Sequence, residues 1–276
     1  MFICTHKKGF TLVELLVAMV ISSIVMAAIY ATYSAQLRSH VTQQKVVEMH
    51  QNARAAMFIL EREIRLAGYD PLGGDVPQIT TAQINAITFT MDITGGESDG
   101  LDNDDDGIFD EPGETDGDTD DAFEQITYRL SNDLNDDGIS DSMDCNLQRQ
   151  YWDGAAWQPN LATDPADANI AIDIDALNFV YLDADGNDLI DYSGALTPPQ
   201  VPAADLDDIR SVQITIVARA GQNERQGLPG KKLDTKVYMN QQDRPGDDWD
   251  ITLPAPNDKF RRIVLTADVK CRNLGL

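Results

Sequence analysis

The sequence predicts an α+β fold in which one long N-terminal helix packs on an antiparallel β-sheet domain. Three observations predict it. Neither Gly nor Pro interrupts residues 10–67, so a helix there meets no breaker. Five later segments cluster β-branched and aromatic residues in short runs between polar stretches, as strands do. The 276 residues suffice for an anchor plus one globular unit, since domains commonly hold about 100 to 150 residues.

The helix begins with its most apolar part. Residues 1–9 are short and basic (His6, Lys7, Lys8), and FTLVELLVAMVISSIVMAAIY follows over residues 10–30 with one charge, Glu14. Some twenty apolar residues at about 1.5 Å each cross a hydrocarbon core of about 30 Å. Basic residues on the N-terminal side predict a cytoplasmic N-terminus and an exported remainder. A carboxylate within a membrane helix costs on the order of 2.5 to 3.5 kcal/mol. Two readings of Glu14 stand side by side: it snorkels to the nearby interface, or it awaits a positively charged group from another subunit.

Beyond Tyr30 the helical period continues. Tyr33, Leu37, Val41, Val46, Met49, Ala53, Met57, Leu60 and Ile64 recur at steps of mostly three or four, which predicts an amphipathic continuation over 31–67 that packs on the domain. Gly68, followed by Asp70 and Pro71, is a suitable stop. The domain then occupies 68–276. Its predicted strands lie at 86–93, 125–131, 177–183, 211–220 and 261–273, and a long acidic insertion occupies 95–145.

The formal charge is −25, a balance that repels phosphate backbones and excludes nucleic acid as a partner. Residues 97–144 hold 19 Asp or Glu against one basic residue, Arg129. Two segments inside this stretch spell D-x-[DN]-x-D-G-I-x-D. The first offers Asp102, Asp104, Asp106 and Asp110 around Gly107; the second offers Asp133, Asn135, Asp137 and Asp141 around Gly138. Oxygen ligands at alternate positions suit a hard cation such as Ca²⁺, and the Gly lets the chain turn back around it. The aliphatic residue after each Gly can tether the loop to the core. The bidentate Glu that closes an EF-hand at its twelfth position is absent, Gly113 and Asp144 standing there. The same residues also suit a solvated acidic loop. A third segment, DADGNDLID at 183–191, displaces its Gly and reads as a hairpin turn.

The chain lacks the chemistry of an enzyme. Beyond residue 9 only His40 and His50 remain, both on the helix, and there is no P-loop, dinucleotide fingerprint or Cys pair at zinc spacing. Cys145 and Cys271 flank β segments and permit either one disulfide in an oxidising compartment or two separate thiols.

One string is more specific than any of this. KKGFTLVELLVAMVISSIV resembles the N-terminal motif of the type IV prepilin family, with a basic leader ending in Gly, then Phe, then Glu at the fifth mature position. The resemblance implies a leader at 1–9, cleavage by prepilin peptidase between Gly9 and Phe10, methylation of the Phe10 amine, and Glu14 pairing with a neighbour's N-terminal amine in a filament. It also implies a pilin-like fold, an inner-membrane subunit with a periplasmic domain, and major and minor pilins as partners. The segment FILEREIRLAGYDP at 58–71 is similar to the helix end of PilW-like minor pilins and GspJ-type pseudopilins, which implies a minor pilin of a priming or tip complex. The alternatives are a minor pseudopilin of type II secretion and a membrane-tethered calcium-binding adhesive domain that never polymerises. An ordinary signal peptide cut after Val25-Met26-Ala27 would have to hold Glu14 in its apolar core.

Overall fold

The structure, a computed structural model, describes residues 9–70, 78–92, 124–141, 145–153, 155–220, 233–242, 250–271 and 273. It divides into two compact units, Met1–Val47 and Glu48–Leu276. One helix and antiparallel sheets make up the fold, the class expected from the sequence.

Helix α1 spans Leu12–Ile64. In the first unit its apolar side chains, from Leu12 and Val13 through Ile29 and Leu37 to Val41, are exposed. Among the described residues this is the one helix long and apolar enough to cross a membrane. In the second unit α1 buries Met49, Ala53, Ala56, Met57, Leu60 and Ile64, a single stripe at steps of three and four. Burial therefore starts at Met49, later than the amphipathic pattern from residue 31 suggests. Tyr33, Leu37 and Val41 carry the right period but stay exposed, because period alone does not say which apolar face finds a partner in the same chain. The helix stops where expected. Gly68 adopts φ +69°, the left-handed conformation that closes helices, and its N–H donates to the Thr90 carbonyl at 2.9 Å.

Eleven strands follow among the described residues. One sheet runs in the order β1 (Ile79–Ala82), β2 (Ala86–Thr90), β3 (Gln125–Leu130), β4 (Asn146–Trp152) and β5 (Trp157–Gln158). β6 (Asn169–Ile172) pairs with β4 as well, at Asn146 to Gln148, while β5 pairs at Tyr151 and Trp152. A second sheet has the order β11-β8-β7, with β7 at Ile174–Leu182, β8 at Ser211–Arg219 and β11 at Arg262–Lys270. β9 (Tyr238–Met239) and β10 (Ile251–Leu253) form a small ribbon. Every pairing is antiparallel. All five predicted strands are present. β4 was hidden from the sequence because NLQRQYW carries polar residues on both faces, and its Gln148 and Gln150 are buried, donating to the carbonyls of Pro165 and Pro159.

The core gathers Leu60 and Ile64 of the helix with Phe89, Tyr128, Phe179 and Tyr181, all essentially inaccessible. Burying such side chains contributes roughly 1.5 to 3 kcal/mol each. Its polar tips are satisfied: the Tyr181 hydroxyl donates toward the carbonyls of Gln83 and Ala86. β7 carries two arginine contacts at its start. Asp175 accepts from Arg219 of β8 at 3.1 Å and from Arg262 of β11 at 2.6 Å, and Arg262 also pairs with Asp234 and Asp258.

Of the two alternatives that the sequence permits for Cys145 and Cys271, the structure has the separate thiols. Each is buried as a thiol. Cys145 precedes β4 and donates to Asp175 Oδ1 at 3.2 Å, whereas Cys271 follows β11 and turns to the Val269 carbonyl. The two strands belong to different sheets. Burial, before any charge effect, pushes both thiols up, Cys271 to about 12.

Candidate functional site

The residues that the sequence singles out at the N-terminus lie together at the start of α1. Gly9 and Phe10 precede the helix in exposed chain, with Phe10 92% exposed. Among the described residues, a Cβ placed on Gly9 would meet nothing within 4 Å.

Thr11 is the N-cap, and Glu14 closes a capping box with it. The Thr11 N–H donates to Glu14 Oε2 at 2.9 Å, the Thr11 hydroxyl donates to the same oxygen at 3.0 Å, and the Glu14 N–H donates to Thr11 Oγ1 at 3.3 Å. Two orphan N–H groups of the helix start are thereby satisfied reciprocally. The sequence reading missed Thr11, although the T-x-x-E spacing is the signature of such a box. It supplies a third account of Glu14 beside snorkelling and an intermolecular partner: within one chain the carboxylate already has donors.

The second acidic loop is the other candidate site. Asp133 Oδ1 accepts from the Asp137 N–H at 3.1 Å, and its Oδ2 accepts from the Gly138 N–H at 2.9 Å. Burial lifts the Asp133 carboxyl above its ordinary range, against the pull of its donors Asn85, Gly138 and Asp137. Gly138 has φ +80°, and a Cβ there would lie 2.5 Å from the Leu177 carbonyl oxygen, so the loop needs glycine to lie against β7. Three backbone links hold it: Leu177 N–H to the Gly138 carbonyl, Ser140 N–H to the Asp175 carbonyl, and a bridge between Ile139 and Ala176. Ile139 packs on Ala176, Val217, Tyr238 and Leu253, the tether expected after the Gly.

The expected ligand set is not gathered. Asn135 turns its amide nitrogen to Asp137 Oδ2, Asp137 Oδ1 accepts from the Ile139 N–H, and Asp141 Oδ2 accepts from the Leu134 N–H. Among the described residues no three His, Cys, Asp or Glu side chains converge to hold a metal ion. Asp102, Asp104, Asp106 and Asp110 lie outside the described residues. The third acidic segment is the hairpin turn expected of it, with the Asp183 N–H donating to the Asn187 carbonyl and Gly186 at φ +84°.

Comparisons with known proteins bear on the first of these sites. Residues 4–30 match the family model for the prokaryotic N-terminal methylation motif. No curated protein shows significant sequence similarity to the chain. Among solved structures it is similar to a type IV-like pilin from Thermus thermophilus, at 12% identity and TM-score 0.40 over 82% of this chain and 98% of that one.

Proposed function

We propose, from the methylation motif that the chain carries at residues 4–30, that it is a minor pilin subunit for type IV pilus assembly, held in the inner membrane by α1 until it enters a filament. In this reading prepilin peptidase cuts between Gly9 and Phe10, the Phe10 amine is methylated, and Glu14 accepts a neighbouring subunit's N-terminal amine. The β-rich unit faces the periplasm, and other minor and major pilins are its partners in a priming or tip complex. The chain acts by assembling and not as an enzyme.

The observation that carries this reading is the opening of α1. Gly9 and Phe10 are exposed and outside the helix, where a peptidase can reach them. Following them, the helix is apolar and exposed from Leu12 to Tyr30 apart from its polar punctuation, a surface suited to lipid and to other such helices.

The test is intact mass and N-terminal sequencing of membrane-extracted protein from hosts with and without prepilin peptidase. A chain starting at methylated Phe10 only when the peptidase is present supports the proposal. A start at Ala28, or an uncleaved Met1, overturns it. Glu14→Ala then separates assembly from tethering: a cleaved subunit that no longer enters filaments fits a pilin, whereas full function fits the membrane-tethered domain. A minor pseudopilin shares all of these steps and differs in restoring type II secretion, and not piliation, to a strain that lacks the subunit.

A further inference from the structure

Strand β11 ends the β11-β8-β7 sheet, and its outer edge is open. The Ala220 N–H donates to the Arg261 carbonyl and the Cys271 N–H to the Arg210 carbonyl, with an unshifted register between them. In an antiparallel pair such exchanges fall on alternate residues, so the odd-numbered residues of β11 bond to β8. The backbone N–H and C=O groups of Arg262, Val264, Thr266, Asp268 and Lys270 point the other way, and among the described residues nothing bonds to them. Thr266, Asp268 and Lys270 are exposed, so a strand can approach.

Proteins blunt such edges with Pro, bulges, short strands or a covering segment. β11 runs for nine residues with no Pro, Gly or bulge. Its odd-numbered side chains are apolar. Val269 among them is buried, whereas Ile263, Leu265 and Ala267 are only half-covered.

We propose that β11 pairs edge to edge with β11 of a second copy of this chain, antiparallel and two-fold about Leu265. The occupant follows from self-complementarity. About that centre Leu265 meets Leu265, Ile263 meets Ala267, and Asp268 lies across from Arg262, an opposite charge, while Val264 and Thr266 exchange the hydrogen bonds that each lacks. All three half-covered apolar residues gain a cross-strand partner, the unit of sheet stabilisation. Other centres do worse. About Thr266, Lys270 faces Arg262; about Asp268, two carboxylates face each other; about Ala267, Ile263 falls opposite Cys271, beyond the end of the strand. A two-fold contact uses both edges and joins two subunits without propagating. Two chains of charge −25 repel at long range, and salt screens that repulsion, so the pairing strengthens as salt is added.

The test is disulfide trapping in the detergent-solubilised full-length protein carrying Cys4→Ser, whose remaining native thiols, Cys145 and Cys271, are both buried. Residues facing each other in a non-hydrogen-bonded antiparallel pair have Cα atoms about 4.5 Å apart, within reach of a disulfide. With oxidised glutathione, Leu265→Cys is expected to form a covalent dimer, more of it at high than at low salt. Ala267→Cys, which faces Ile263 of the second copy, is expected to stay monomeric. Thr266→Pro removes an N–H that makes no bond within the chain, a place where edge strands tolerate proline. Added to Leu265→Cys, it is expected to cut the dimer yield at least about tenfold, since two interstrand hydrogen bonds are lost, with circular dichroism unchanged. A Leu265→Cys protein that stays monomeric, or that dimerises no better than Ala267→Cys, overturns the proposal. The comparison of those two variants decides even where proline disturbs β11; in a Thr266→Pro protein that keeps its fold, an undiminished dimer overturns it as well.

Discussion

Glu63, in the last turn of α1, and Arg149, on β4, form an ion pair at 2.9 Å with side chains only 15% and 22% exposed. The Tyr128 hydroxyl of β3 donates to the same glutamate oxygen. A single carboxylate thus fastens the end of the helix to two adjacent strands, and this is the role of the charged stretch EREIR that sequence shows only as spacing.

Removing Arg149 leaves Glu63 with one donor in a largely desolvated place. Breaking a fully buried pair costs about 3 to 5 kcal/mol, and partial exposure brings the expectation for Arg149→Met to about 2 kcal/mol. Tyr128→Phe is expected to cost about 1.5 kcal/mol, the worth of a hydrogen bond to a charged group. Urea denaturation of both single variants and the double variant checks this, and purely additive losses would contradict a shared acceptor.

A second charged knot predicts acid sensitivity. Burial alone would raise Asp258, but its hydrogen bonds to Arg262 and the Phe260 N–H, with the arginine's charge, more than offset this and hold the carboxyl below its usual range. A depressed folded pKa means that the stabilisation is complete above the unfolded value of about 3.9 and fades as pH falls below it toward the folded value. Melting curves between pH 7 and pH 3 are expected to steepen in their loss below about pH 4. Arg262→Met should lower the whole curve and flatten that acid limb.

The thiols give a chemical prediction. With Cys271 pushed up to about 12 by burial, it holds almost no thiolate at pH 8, and the thiolate is the reactive form. Iodoacetamide is expected to leave Cys145 and Cys271 unmodified in the folded protein and to label both in denaturant without reductant. Failure to label in denaturant would reveal a disulfide. Since the folded value is raised, the contribution is complete below the unfolded pKa of about 8.5 and is lost as pH climbs toward 12.

Gly138→Ala meets two obstacles at once, a φ of +80° and a backbone oxygen 2.5 Å from the new Cβ. The left-handed conformation alone costs about 1 to 2 kcal/mol. With the clash, a loss of about 3 kcal/mol is expected in equilibrium denaturation, toward the upper end of single substitutions. A neutral result would show that the loop can lift from β7.

What the sequence made legible follows from where the physics is local. Helix α1 from Leu12 to Ile64, its stop at Gly68, five strands and the hairpin at Asp183 all depend on period, breakers and turn residues a few positions apart. Strand β4 did not show, because its Gln148 and Gln150 are satisfied by carbonyls from Pro165 and Pro159, which no pattern within NLQRQYW reveals. The contact of Asn85 with Asp133 spans 48 residues and was equally hidden. Spacing singled out Asp137 as a ligand, yet its carboxylate accepts from the Ile139 N–H and the Asn135 amide, contacts that the spacing alone does not show. Thr11, by contrast, was readable from T-x-x-E and overlooked.

The box between Thr11 and Glu14 has a consequence for competition. Its donors are built into the same turn, so they are always present at a high effective concentration, and any group that claims the Glu14 carboxylate must displace them and not merely arrive. A neutral donor has nothing extra to offer in that exchange. A cationic one does, since hydrogen bonds with an ionised donor are roughly twice as strong as neutral ones and an opposite charge gains further in a medium of low dielectric. The anchor can thus sit in an apolar environment as a self-satisfied rod that ignores uncharged neighbours and opens to a positively charged one.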